Sequence, residues 1–561
     1  MTTDLAPGPK VDPKIAATAD FLDTRLGISK MFKGLGRKLF PDHWSFLLGE
    51  IALYSFIVLI ISGTFLTMFF VPSMTEIHYP HDALPVTMQG QPMSEAFAST
   101  LNLSFHVRGG LFMRQLHHWS ALIFVGAMVI HMLRILFTGA FRKPREINYL
   151  IGFLMLITSL LAGLTGYSLP DDVLSGNGLR ITDGVVRSIP IIGSYLSFMV
   201  FGGEFPGMDV VPRMYALHIL FIPGLILALV AVHLFLVFWH KHTQYPGPGR
   251  TNKNVVGFPL FPIYVAKAGG FFFIVFGILG LMGATMSINN VWNYGPFDPA
   301  LVGAGAQPDW YMLFLEGSLR LMPSWEVVIA GFTVPMSVLI PAVVVPGVLF
   351  TVLGAYPFIH NYATKDTGEH HVLDRPRNAP TRTAIIVAVL SVFFVLLAAG
   401  SNDLIATHFS LSLNAITWAF RVLFFVLPVV AFIVTKRVCY GLQRKDRELV
   451  LHGHETGRVV RFASGEYAEV HKPLDDFERW VLVGPQPERP LEIEPAEDSN
   501  GVRRPGHKKE LRRQKFSRFF YEERVEPVTP AELVAAHATG AHDALPASEE
   551  RDARELEART H

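Results

Sequence analysis

Eight apolar stretches dominate this chain, each long enough to cross about 30 Å of hydrocarbon at about 1.5 Å per residue. They fall at residues 46–71, 111–138, 147–169, 212–239, 268–287, 327–353, 383–400 and 414–436. Backbone amides in hydrocarbon find no water to bond, so spans of this length close their hydrogen bonds internally as helices. Only 17% of the 561 residues are charged and the mean hydropathy is +0.35, which excludes an ordinary soluble enzyme. The predicted fold class is an all-α polytopic membrane protein of eight transmembrane helices. The net charge of +1 gives no reason to expect a nucleic-acid partner.

Basic residues orient the spans. Lys30, Lys33, Arg37 and Lys38 precede the first span, Arg142, Lys143 and Arg145 follow the second, and Lys241, Arg250, Lys253 and Lys267 follow the fourth. Lys365, Arg375, Arg377 and Arg382 follow the sixth. The alternate loops hold no lysine and carry Glu76, Asp171, Asp172, Asp183, Glu204, Asp298 and Asp403. The positive-inside rule then predicts a multi-pass protein of the cell membrane with both termini cytoplasmic. The polar N-terminus lacks the basic and apolar regions of a cleaved signal, so insertion is expected to use the first span.

The second span carries His117, His118 and His131. Ionisable groups in hydrocarbon are costly and mark function by default. His117 and His131 are 14 residues apart, which leaves them within about 40° of one helix face and about 21 Å apart along it. His118 lies about 140° from His131 and is expected to be a bystander. In the fourth span, His218 and His233 are 15 residues apart, an offset of about 60°. One span separates the two helices, so they run parallel, and His117 should pair with His218 and His131 with His233. Two facing histidine pairs suit two planar cofactors stacked across a bilayer, with bis-imidazole haem iron as the natural occupant. Gly49 and Gly63 in the first span, and Gly152 and Gly166 in the third, repeat the 14-residue spacing. Glycine admits a close neighbour, either a helix or a flat ring.

Cys439 is the only cysteine. The chain therefore cannot attach a c-type haem or hold an iron–sulfur cluster with its own thiolates, and such centres must sit on other subunits. The third span runs into Gly166-Tyr167-Ser168-Leu169-Pro170, where the proline ends or bends the helix. The segment that follows, to about residue 208, is expected to lie on the outer surface. Between the fifth and sixth spans stands Pro308-Asp309-Trp310-Tyr311. Its carboxylate suits a proton acceptor beside a flat ring, or equally a solvated aspartate among interfacial aromatic anchors. Residues 437–561 read as a solvated or partly disordered tail.

Arg114-x-x-His117, His131-x-x-Arg134, Arg213 before His218, the glycine pairs, Gly-Tyr-Ser-Leu-Pro and Pro-Asp-Trp-Tyr together resemble cytochrome b of the cytochrome bc1/b6f family. The long tail is similar to the actinobacterial menaquinol–cytochrome c reductase form. The resemblance implies a short N-terminal segment (1–45), a dihaem domain (46–240) whose four helices form the haem bundle, a C-terminal domain (241–436) and the tail (437–561). It implies a lower-potential b haem at His117/His218, a higher-potential one at His131/His233, and Arg114, Arg134 and Arg213 as propionate partners. It further implies a quinol–cytochrome c oxidoreductase working by a Q-cycle on menaquinone. Quinol would be oxidised at an outer site containing Tyr167, Asp309 and Tyr311, with Glu316 sharing the proton role. Many relatives carry glutamate where Asp309 stands. His240, His242 and Lys253 are candidates for the inner quinone site. Implied partners are a Rieske iron–sulfur subunit, a c-type cytochrome subunit, a second copy of the chain and an aa3-type oxidase in a supercomplex. Two other readings compete: a dihaem anchor relaying electrons for a dehydrogenase or hydrogenase, which needs only about four helices, and a transporter with histidines in a proton path, which predicts no haem.

Overall fold

The structure of the chain, a computed structural model, describes residues 12–79, 89–300, 307–366, 368–483, 489–497 and 499–539. In chain order the helices that position the sites are α1 (Trp44–Thr67), α2 (Glu95–Phe105), α3 (Gly110–Thr138), α4 (Glu146–Tyr167), α5 (Val173–Arg187), α6 (Gly193–Phe201) and α7 (Val210–His240). They continue with α8 (Leu260–Thr285), α9 (Trp310–Leu321), α10 (Met336–Thr364), α11 (Pro380–Gly400), α12 (Leu413–His452), α13 (His507–Tyr521) and α14 (Pro530–Thr539). Eight of them, α1, α3, α4, α7, α8, α10, α11 and α12, are long and apolar enough to span a membrane. Large apolar side chains such as Ile61, Leu220, Phe235 and Phe273 project from them more than half exposed, which lipid tolerates and water does not.

Helix α1 packs along α3, α4 along α7, and α3 against α4, while α8 closes over α1 and α3. An apolar layer fills the middle of this bundle. Phe56 and Phe124 stack with centroids 5.5 Å apart, and Ile222, Ile226 and Tyr311 pack into the same cluster. In sequence Phe124 is seven residues from both His117 and His131, so the layer separates two histidine levels. The second half of the chain adds α10 against α4 and the α9–α11–α12 stack. Helix α9 is too short to be a span, and its packing on α11 turns its N-terminus toward the bundle.

Three features depart from the sequence expectations. The sixth span starts late because residues 326–335 form a hairpin, β1 (Glu326–Ile329) and β2 (Phe332–Pro335). The two-residue turn Ala330-Gly331 takes positive φ at both positions (53° and 82°), the turn whose twist suits paired strands. Val327, Val328 and Ile329 then favour a strand despite their hydropathy. Second, α12 runs 40 residues to His452, well past the apolar part of its sequence. Third, the described parts of the tail are folded. Strands β3 (His454–Arg461) and β4 (Tyr467–Lys472) form a hairpin. Helix α13 packs on α10 and α11, with the Tyr521 hydroxyl 2.9 Å from His360 Nε2. Helix α14 packs on α12, where Arg447 pairs with Glu532.

The basic loops gather at one end of the bundle. There the buried guanidinium groups of Arg142 and Arg382 share the Asp374 carboxylate at 2.8 and 2.9 Å, joining the loop after α3 to the start of α11. Removing one partner of a buried pair leaves charge uncompensated, at a cost of about 3–5 kcal/mol. Asp374→Ala is therefore expected to lower the thermal midpoint and yield of the detergent-solubilised complex, and Asp374→Asn to recover only part of the loss. Wild-type stability in Asp374→Ala would refute this account of the basic end.

Candidate functional site

The four predicted histidines stand in two pairs at two depths. His117 and His218 face each other with ring centroids 6.2 Å apart and planes at 74°. The Nδ1 of His218 donates to the Ala162 carbonyl at 3.0 Å. Ser62 Oγ gives its proton to the Val58 carbonyl at 2.6 Å and so accepts from His117 Nδ1 at 3.0 Å. With Nδ1 protonated on both rings, both Nε2 lone pairs remain free. This is the tautomer of a ligating histidine whose far nitrogen is held by the protein. A ligated imidazole nitrogen lies about 2 Å from its metal, and a ring centre about 1 Å further, so two imidazoles on one ion have centroids about 6 Å apart. The observed separation fits.

His131 and His233 line one cavity of about 440 Å³ near the basic end. Their spacing problem has a structural answer. Helix α7 widens into a π turn at Leu217–Phe221, just before Pro223, which cannot supply an amide to the ladder. A π turn holds more residues than an α turn, so the interval from His218, inside it, to His233 rotates by less than an ideal helix of 15 residues and comes nearer to the rotation between His117 and His131. The two helices therefore present their histidines in matching register.

All four glycines back an imidazole. A Cβ on Gly63 would stand 3.1 Å from His117 Cε1, and one on Gly49 3.2 Å from His131 Cε1. On Gly152 it would be 3.7 Å from His233 Cε1, while on Gly166 it would overlap the His218 ring. The flat ring each glycine admits is a histidine. Arginines stand by both levels. Arg114 is buried with Nε and Nη2 unpartnered, and Arg134, stacked 4.4 Å over the Phe46 ring, also has Nε and Nη2 unpartnered. Buried cationic donors without acceptors fit an anionic group such as a haem propionate. Arg213 differs: it is exposed and bonds the Met199 carbonyl and Asp209. Among the described residues no group of three or more His, Cys, Asp or Glu could hold a bare metal ion. Histidines in twos suit a porphyrin, which brings four nitrogens of its own.

A second pocket opens at the acidic end, and Tyr167, Asp309, Tyr311 and Glu316 all line it. Asp309 caps the start of α9, and both its oxygens are engaged. Tyr311 donates to Oδ2 at 3.1 Å, and His118 Nε2 lies 3.1 Å from Oδ1. The expected bystander His118 is thus a partner of the candidate proton acceptor. The Tyr311 phenol enters over Gly163, where a Cβ would overlap it. Burial, reinforced by the Asp309 charge, pushes the Tyr311 phenol well above its ordinary range, so it stays a donor. Tyr167 donates to the Gln307 carbonyl at 3.3 Å. Burial raises the Glu316 carboxyl above its usual range against the pull of Arg320, and its Oε2 has no partner. Arg320 in turn meets Asp403 at 2.7 Å, which fastens α9 to the short helix Asn402–Phe409 that follows α11. Nearby, burial raises Asp171 to about 7. Sequence reasoning missed His118 and Gly163. The only available signals were a second ionisable residue in a span and a glycine three residues before Gly166.

Of the three candidates near the basic end, His242 lines the large cavity, and burial with Arg145 and Arg134 nearby lowers it to about 3. His240 and Lys253 lie outside the cavity lining, Lys253 on an exposed loop.

Comparisons with known proteins agree with this architecture. The family described as cytochrome b(N-terminal)/b6/petB matches residues 122–296. The cytochrome bc1 complex cytochrome b subunit of Streptomyces coelicolor is 56% identical over 90% of this chain and 92% of its own length. That of Mycobacterium bovis is 48% identical over 84% and 86%. A solved chain of a hyperthermophilic respiratory Complex III shares the fold, with a TM-score of 0.57 at 21% identity, over 75% of this chain and 100% of that one.

The glycine contacts separate the two histidine levels experimentally. Gly166→Ala is expected to lose the His117/His218 chromophore while keeping the other, and Gly152→Ala, with room at 3.7 Å, to keep both. Pyridine haemochrome counts and reduced-minus-oxidised spectra decide it. Equal behaviour of the two variants would contradict the packing described.

Proposed function

The chain belongs to the cytochrome b subunits of the cytochrome bc1 complex, and from that premise we propose that it oxidises quinol at the Asp309 pocket and returns half of the electrons across the membrane to a quinone near the basic end. The observation that carries this reading is the engagement of both Asp309 oxygens, by His118 and Tyr311, in a pocket one residue from the His117 ligand position. A carboxylate held this way accepts a proton from a quinol hydroxyl, and losing that proton makes the quinol easier to oxidise.

Two b haems, held by His117/His218 and His131/His233, would supply one-electron transfer across the membrane. The protein's part is to bind, orient and move protons. Gly49, Gly63, Gly152 and Gly166 seat the four imidazoles; Arg114 and Arg134 offer buried donors to propionates, and Arg213 is the weaker third candidate. Tyr311 donates to the Asp309 carboxylate and fixes its direction. Tyr167 also lines the pocket, and the unpartnered Oε2 of Glu316 provides a second place for a proton. One electron of each quinol leaves to a Rieske subunit and onward to a c-type cytochrome subunit, since a single cysteine leaves this chain no cluster or c-haem site. The basic end faces the cytoplasm with both termini, in keeping with the positive-inside rule. Menaquinol as the quinol, a homodimer, and an aa3-type oxidase alongside rest on the actinobacterial resemblance.

Asp309→Ala should lower quinol oxidation by the purified complex about 100-fold, the scale of a lost general base, with both haem signals kept. Tyr311→Phe should lower it less, because it removes an orienting donor and leaves the acceptor. Unchanged rates in both variants would dismiss the pocket as the quinol site.

A further inference from the structure

Glu50 stands within α1, next to Gly49, whose backbone packs against the His131 ring. Glu50 lies in the first regular turn of the helix, where a carboxylate suits the helix N-terminus, and it is the setting beside a cavity that singles it out. Each of its oxygens is met by a phenol: Tyr54 lies 3.1 Å from Oε2, and Tyr264, on α8, donates to Oε1. Glu50, Tyr54, Tyr264 and Ala268 line the same cavity of about 440 Å³ as His131 and His233. The arrangement could be simple glue between α1 and α8, but two observations argue for more. The carboxylate borders open space instead of being sealed between the helices. The Tyr54 hydroxyl also has a second acceptor, the Ala268 carbonyl at 3.0 Å, so its one proton can turn there whenever Glu50 carries a proton itself. The network is therefore satisfied in either protonation state of the acid, as a proton-delivering group requires.

We propose that Glu50, held by Tyr54 and Tyr264, is the catalytic acid that hands protons to a quinone reduced at the Glu50–Tyr264–Ala268 margin of this cavity, beside the part in which His131 and His233 would hold a haem. Aromatic and apolar walls with a few convergent polar groups are what a flat quinone head with two carbonyl oxygens needs. The step rests on the proposed function, which supplies its electrons: two quinols oxidised at the Asp309 pocket send one electron each. Each O–H bond formed on the quinone breaks one on Glu50, and two electrons and two protons complete the quinol. The carboxylate is recharged from water at the basic end through Tyr264, one helical turn before Lys267, which pairs with the exposed Asp42.

The test uses the whole purified complex with Glu50→Gln, which keeps partners for both phenols but has no acidic proton to give. After a quinol pulse, reduction of the His131/His233 haem should be as in the wild type, and its reoxidation by quinone at least about tenfold slower. An independent readout is the infrared difference between oxidised and reduced bound quinone. The wild type should show a carboxyl C=O band that Glu50→Gln lacks. Wild-type reoxidation, or a surviving band, would overturn the role of Glu50. A wild-type complex in which a quinol pulse never reduces that haem would overturn the electron route instead. Should Glu50→Gln fail to assemble, Tyr264→Phe carries the same test: slower reoxidation and a shifted carboxyl band support the proposal, and no change in either overturns it.

Discussion

Holding the His117 and His218 imidazoles inside hydrocarbon, each with one nitrogen satisfied and the other free, is the constraint on which the acidic half of the helix bundle depends. A neutral ring carries one N–H, which must find an acceptor or stand as an unmet buried donor. The protein solves this for His218 with the Ala162 carbonyl and for His117 with Ser62, both on neighbouring helices. Those bonds require the rings to lie against α4 and α1, an approach that a Cβ would block at Gly166 and crowd at Gly63. The glycine spacing follows from the histidine spacing, and the helix pairing α1–α3 and α4–α7 follows from both.

The second half of the chain serves the first by bringing charged chemistry to its edge. Asp309 starts α9, and α9 is fixed by packing on α11 and by the Glu316–Arg320–Asp403 series of contacts. Through His118 that carboxylate reaches back to α3, the helix that carries two of the four facing histidines. The acidic end and the histidine levels are thereby one mechanical unit. At the basic end the same economy recurs, with Arg142 and Arg382 sharing Asp374, and α1 and α8 sharing Glu50.

Much of this was legible in the sequence, because membrane helices convert spacing into geometry with few alternatives. The 14-residue interval of His117 and His131 predicted their common face, and parity of spans predicted the pairing with His218 and His233. What stayed hidden depended on contacts between distant segments or on local backbone. The π turn at Leu217–Phe221 corrects a spacing that an ideal helix misreads. His118 looked idle because Asp309 is 191 residues away. Hydropathy extends the sixth span back over residues 327–335 because it does not distinguish β-branched strand residues from helix residues, and only Ala330-Gly331 marks the turn of the β1–β2 hairpin. The tail was read from its charge as solvated, whereas Tyr521 and Glu532 tie its helices to α10 and α12. Glu50 is one acid among apolar neighbours in sequence, and its partner Tyr264 comes from α8, 214 residues away.

The central claim is that two facing histidine pairs at different depths each ligate one haem in a distinct environment. A potentiometric titration of the purified complex, followed by visible and low-temperature EPR spectra, tests it most directly. The account predicts two separate one-electron waves, each with the low-spin signature of bis-imidazole iron. A single wave, a high-spin signal or the absence of b-type haem would contradict it.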